Sequence, residues 1–248
     1  MNVSLVLLAH PRSGSTAIRD IFDLHPRLSV LNEPFNPTRG SDGWGYDFLA
    51  DLNAGQQLPD ILQDLKETSN GVKHLLGQLT LKQDLEVFAF FPTKFFMVRR
   101  NQLQAVASSL IAEQTLQWHR RGAPRMQDQP LEPLDLNRIA EYLDTQGTAI
   151  AQTNAFLAQH ETGHQCRRIV YEDLFGENVS ISQRLEITLE LVRSVVGNDL
   201  SNAYIEKVAA KLDHDSNKVN STETYRLLPN LAEINRLFGA GQFGAPLE

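Results

Sequence analysis

Short apolar runs alternate with amphipathic stretches along most of the chain. Residues 5–9 (LVLLA) carry no polar side chain and read as a buried strand. A Gly/Ser-rich turn follows, and then Ile18, Ile21, Phe22 and Leu24 fall at helical spacing until His25-Pro26 stops the helix. Residues 28–35 (LSVLNEPF) read as a second strand halted by Pro34, and residues 36–45 as a loop by composition. A polar helix is expected near 49–67. GVKHLL (71–76) and KFFMV (94–98) read as the third and fourth strands. Over 102–118, Leu103, Val106, Leu110 and Ile111 share one helical face. The Pro-rich, polar segment 119–137 is long for a structureless connection and is a candidate lid or substrate loop. A long helix is expected from about Asn137 to Gln159. A fifth strand lies within 166–175, and an amphipathic helix over 181–197 has Gly197 as its C-terminal cap. A last short helix precedes a Gly-rich end.

This alternation predicts an α/β fold: one domain over 1–248, with a central, mostly parallel sheet flanked by helices. Ligands of such sheets bind at the carboxyl ends of the strands. That rule singles out the 10–16 turn, Asn32-Glu33, Arg99-Arg100 and Glu172-Asp173.

Composition narrows the classes. At 248 residues the chain can bury a sizeable core, and 42% hydrophobic with 21% charged residues is ordinary for a globular protein. A net charge of −7 argues against a general nucleic-acid binder, so an anion site must come from local placement of cations. No segment approaches the roughly 20 apolar residues of a spanning helix, and the first residues lack the basic stretch and cleavage site of a secretion signal. Cys166 is the single cysteine, which excludes an internal disulfide and a Cys-built metal site. A reducing cytoplasm is the simplest setting. His160 and His164 gather near Cys166, but QHETGHQC reads as a polar helix-to-strand loop, and no metal is expected.

The turn after the first strand carries the chemistry. It departs from the G-x-x-x-x-G-K-[ST] phosphate loop: Ala9 replaces the first glycine, Gly14 keeps the second, Ser15 replaces the lysine and Thr16 fits the last place. The cation has moved into the turn as Arg12. Backbone N–H groups of such a turn converge on one anion, and the following helix adds its positive end. Ser13, Gly14 and Ser15 are small enough for close approach, while Ser13, Ser15 and Thr16 add hydroxyls. Arg12 brings a planar fork suited to phosphate. An ordinary strand-to-helix turn with a capping serine would use the same residue types. After the fourth strand, Arg100 and Ser108 stand eight residues apart, a cation and a hydroxyl that could hold a second phosphate.

Taken together, these motifs resemble the sulfotransferase superfamily that uses 3′-phosphoadenosine 5′-phosphosulfate (PAPS). PRSGST (11–16) is similar to its 5′-phosphosulfate loop, and RNQLQAVAS (100–108) to its 3′-phosphate motif. VYEDL (170–174) is similar to a further recurrent segment. EPF (33–35) is similar to the bacterial and carbohydrate branches, and NSTETYR (220–226) gives a weaker echo. The resemblance runs from about residue 5 to 175. It implies a metal-free transfer from PAPS, as co-substrate, to a hydroxyl of a carbohydrate or small metabolite. It places Arg12 with 13–16 on the phosphosulfate and Arg100 with Ser108 on the 3′-phosphate.

A hydroxyl acceptor benefits from a general base. Glu33, just past the second strand, is the first candidate, though it could instead cap a turn or pair with Arg12 or Arg39. His74 is the rival, because the cytosolic branch uses a histidine beside a lysine on a comparable strand. It could equally be a satisfied core histidine. Lys73 either stabilises charge on the transferring group or pairs with a carboxylate. Trp118 and His119 are candidates for adenine or acceptor contact, with packing as the default; Tyr171 either supports the nucleotide end or fills core, and Lys218, Tyr225 and Arg226 lie where the family's C-terminal segment closes over the cofactor. A P-loop kinase-like phosphotransferase and a non-catalytic nucleotide-binding module remain as alternatives. The kinase would need a magnesium-holding acid and a lysine substitute.

Overall fold

The structure, a computed structural model, describes residues 4–37, 47–116, 130–160, 166–176, 178–213, 222–240 and 243–247. Trp118, His119, Arg39, His164, Lys218 and residues 119–129 of the candidate lid lie outside the described residues. The chain groups into two compact units, Met1–Val98 with Ala149–Leu212, and Arg99–Thr148 with Asp213–Glu248.

The first unit is built on a five-stranded, all-parallel sheet of order β2-β3-β1-β4-β5. Its strands are β1 (Leu5–Ala9), β2 (Val30–Asn32), β3 (Gly71–Leu75), β4 (Thr93–Val98) and β5 (Cys166–Val170). The α/β class with a parallel sheet flanked by helices is therefore as expected. β1 lies at the centre and is buried along its whole length. Alternate residues feed two cores: Leu5, Leu7 and Ala9 join one, and Val6 and Leu8 the other. At the edges, β2 is only three residues long, and β5 exposes Arg167 and Arg168.

Around the sheet lie α1 (Ser15–Asp23), α2 (Phe48–Asn53), α3 (Leu58–Thr68), α4 (Leu81–Phe90), α7 (Tyr171–Phe175), α8 (Ile181–Val196) and α9 (Asn202–Asp213). α1 buries Ile18, Ile21 and Phe22, the stripe its spacing predicts. The single helix expected near 49–67 is two. Gly55 at φ +97° turns the chain after α2, and Pro59 opens the first turn of α3. α4, not anticipated, starts with a capping box: the Thr80 hydroxyl accepts from the Gln83 amide and the Gln83 side chain reaches back to Thr80. α8 uses the same device with Ser180 and Gln183, and Gly197 at φ +91° closes it as expected. The second strand is shorter than its apolar run because Glu33 enters the left-handed region at φ +57° just before Pro34.

The second unit contains α5 (Gln102–Thr115), the first half of α6 (Leu136–His160), α10 (Thr222–Arg226) and α11 (Leu231–Phe238). Leu103, Val106, Ile111, Ile139, Leu143, Tyr225 and Ile234 form its core. Asn101 caps α5 through its Oδ1, which accepts from the Gln104 amide at 3.0 Å, and its Nδ2 donates to the Ala245 carbonyl at 3.0 Å. No described helix is long and apolar enough to cross a membrane.

Candidate active site

All five strands run the same way, so their carboxyl ends form one rim of the first unit. The turn after β1 begins there. The His10 amide bonds the Met97 carbonyl at 2.9 Å, extending the β1–β4 ladder by one residue. The His10 ring donates from Nδ1 to the Pro11 carbonyl at 3.1 Å, since a carbonyl can only accept. Arg12 and Gly14 then take left-handed conformations, φ +61° and +81°. A Cβ on Gly14 would lie 3.0 Å from Cδ2 of Tyr171 and 3.2 Å from Cε2 of Phe175. Glycine is thus required twice, for its φ and for the rings of α7 that pack on it. Tyr171 is a wall of this turn.

α1 starts at Ser15 with no side-chain cap and no acidic residue in its first turn. Its positive end is left to the turn. Ser13 is fully buried, and its Oγ has no hydrogen-bond partner among the described residues. A buried hydroxyl in that state, beside small residues and a helix start, fits an oxyanion of a phosphate or sulfate.

Glu33 follows β2. Its amide bonds the Lys73 carbonyl at 2.8 Å, and its left-handed backbone swings the side chain inward, where it is 6% exposed. Oε2 accepts from Asn36 Nδ2 at 2.6 Å and from Gln78 Nε2 at 3.0 Å. Oε1 pairs with the Lys73 ammonium. Lys73, itself 2% exposed, also donates from Nζ to Thr16 Oγ1 in the first turn of α1, at 3.0 Å. The structure therefore brings together Thr16, Glu33 and Lys73. The Glu33 carboxylate pairs with the lysine on β3, a partner not considered for it from sequence.

Lys73 and His74 are adjacent in β3 and so face opposite sides of the sheet. Lys73 is level with Leu7 and Asn32, and His74 is level with Leu8. His74 is fully buried, with Nε2 bonded to Asp84 Oδ1 at 2.7 Å and its ring edge-on to Phe35 at 5.6 Å. Asp84 also accepts from the amides of Gly77, at 2.8 Å, and Leu79, at 3.3 Å. It thereby ties down the turn after β3.

Arg100 and Ser108 belong to the second unit. Arg100 is exposed two residues past the end of β4, and Ser108 is buried inside α5. Tyr225 is buried there with its hydroxyl on the Gln104 carbonyl at 3.3 Å, and Arg226 is exposed. Among the described residues, no group of three His, Cys, Asp or Glu side chains is placed to hold a metal ion.

Asn36 and Gln78 were missed from sequence. Gln78 could have been found, because it stands just past the end of β3, where the strand-end rule points. Asn36 gave a weaker signal, sitting three residues after Glu33 in a segment read only as loop.

No family model and no curated protein matches the chain. Among solved structures it is similar to the crystal structure of the mouse sulfotransferase SULT7A1 complexed with PAP, with 12% identity and a TM-score of 0.41 over 90% of this chain and 66% of that one.

Proposed function

We propose that this protein transfers a sulfuryl group from PAPS to a hydroxyl of a carbohydrate or small-metabolite acceptor. One observation carries the reading: the Lys73 ammonium links Thr16 of the anion-suited turn to the buried carboxylate of Glu33. An anion cradle and a candidate proton acceptor thus share one cation at the strand ends. The motif resemblance over 11–16 and 100–108 names the donor.

PAPS supplies an activated sulfuryl group on a good phosphate leaving group. In the proposed step the acceptor oxygen forms its bond to sulfur. The bond from sulfur to the bridging oxygen breaks, and its electron pair leaves with the 5′-phosphate. The hydroxyl proton passes to Glu33. The Arg12 guanidinium, the Ser13 hydroxyl and the backbone of Gly14, Ser15 and Thr16 hold the phosphosulfate. Lys73 offsets the charge that gathers on the transferring and leaving oxygens. Arg100 and Ser108 take the 3′-phosphate. His74, on the far face of the sheet with Asp84, keeps a supporting place.

The test is calorimetric binding of adenosine 3′,5′-bisphosphate beside magnesium-ATP. The expected result is tight binding of the bisphosphate and none of ATP. Arg100→Ala should then bind adenosine 5′-phosphate and the bisphosphate about equally. The opposite nucleotide preference in the native protein would replace this reading with a kinase.

A further inference from the structure

Glu33 sits in a conformation that its own backbone does not favour. A left-handed φ of +57° on a non-glycine residue persists where the surroundings over-determine it. The surroundings here are specific. Among the described residues, the two oxygens of Glu33 meet donors from different places, including Lys73 on β3, Asn36 from the residues after Glu33, and Gln78 from the turn after β3. Lys73 answers the charge. Asn36 is local, three residues away. Gln78 comes from 45 residues further along the chain and ties β2's end to β3's end.

Gln78 is itself held at both ends. Its side-chain Oε1 accepts from the Leu75 backbone amide at 3.3 Å, and its backbone N–H donates to the Leu75 carbonyl at 3.3 Å. The residues either side of it, Gly77 and Leu79, have their amides on Asp84, which is braced by His74. The bond to Oε1 fixes which end of the side-chain amide faces Glu33: the NH2, which can only donate, and it donates to Oε2 at 3.0 Å. A carboxylate held from that side presents a fixed orientation of its other oxygen to Lys73.

We infer that Gln78 is a positioning residue for the reaction: it orients the Glu33 carboxylate against Lys73 and the anion turn. His74 and Asp84 support it from the opposite face by fixing the 77–79 turn. This rests on the sulfuryl-transfer reading, with Glu33 as proton acceptor. It deepens that reading by adding a residue that touches neither the donor turn nor the leaving group.

The experiment uses the full chain with PAPS, water serving as the acceptor, and reads release of inorganic sulfate. Gln78→Ala, Glu33→Gln and the double variant are compared, each also titrated with adenosine 3′,5′-bisphosphate. The expected result for Gln78→Ala is a first-order rate lowered about tenfold to a hundredfold, the scale of a misplaced catalytic group, with KM for PAPS and bisphosphate affinity within about threefold of native. In the Glu33→Gln background the same change should cost nothing further, and Gln78→Asn, which keeps an amide donor, should recover part of the rate. Additive losses in the two backgrounds would overturn the positioning role, as would an equal fall in bisphosphate affinity. A native protein that binds the bisphosphate while Glu33→Gln keeps the full rate would overturn both this role and the base assignment. Failure of the native protein to bind the bisphosphate would instead remove the donor assignment on which both rest.

Discussion

Lys73 is among the largest fully buried side chains of the protein, and it is charged. Its cost is met by Glu33 and by the Thr16 hydroxyl, so the pair behaves as a unit. Removing one member leaves an uncompensated charge in a dry place. Lys73→Met should therefore cost about 3–5 kcal/mol of stability, read from denaturant midpoints. The double variant Lys73→Met with Glu33→Gln should recover at least half of that loss while remaining unable to transfer. The place of the turn was legible, because small and hydroxyl residues follow an apolar strand and precede a helical stripe. The lysine–glutamate pairing was not. It joins residues 40 apart in sequence, and only the parallel register of β2 on β3, with Asn32 beside Lys73, brings them to the same level. His74 was ambiguous for the same reason. Two adjacent residues of a strand fully buried on both faces carry no alternation to say which one points at the turn.

At the scale of elements, strands were easier to read than helices. β1 and most of β4 are apolar runs at the centre of the sheet, and burial on both faces makes such runs continuous. α4 was overlooked because its apolar residues Leu81, Leu85, Val87 and Phe88 sit between two strands in a stretch that lacks a long stripe. The T-x-x-Q signature at Thr80 and Gln83 was nevertheless there to be read. α1 shows how one element is tied to another. Asp20 bonds Lys211 of α9 at 2.8 Å and its neighbour Arg19 at 2.9 Å. Burial works against the charged carboxyl, but these two cations outweigh it and hold Asp20 below the ordinary carboxylate value. A group lowered on folding contributes stability above its unfolded pKa, near 4, and loses it as the pH falls through the folded value. Asp20→Asn should thus lower stability at pH 7 by about 0.5–1 kcal/mol, since the pair is only partly buried. Thermal unfolding of both proteins at a series of pH values should show that gap close as the pH falls below about 4.

The whole molecule carries a net charge of −7, yet its proposed donor is a polyanion. Under the proposed reading, attraction for it must come from cations placed locally, such as Arg12 and Lys73, and not from the overall charge. The parallel sheet has a consequence beyond its role as a platform. A sheet that does not close leaves two rows of unpaired peptide groups, each able to recruit a strand from another molecule. Here one border is three residues long, too short to template much. The other presents Arg167 and Arg168, one on each face, so a copy approaching β5 would meet like charges above and below. Replacing both arginines by valine should leave the fold in place but convert that border into an adhesive one. Light scattering during slow heating should then rise at a lower temperature than for the native chain. A lower onset in the variant would mark the two arginines as a guard on that border.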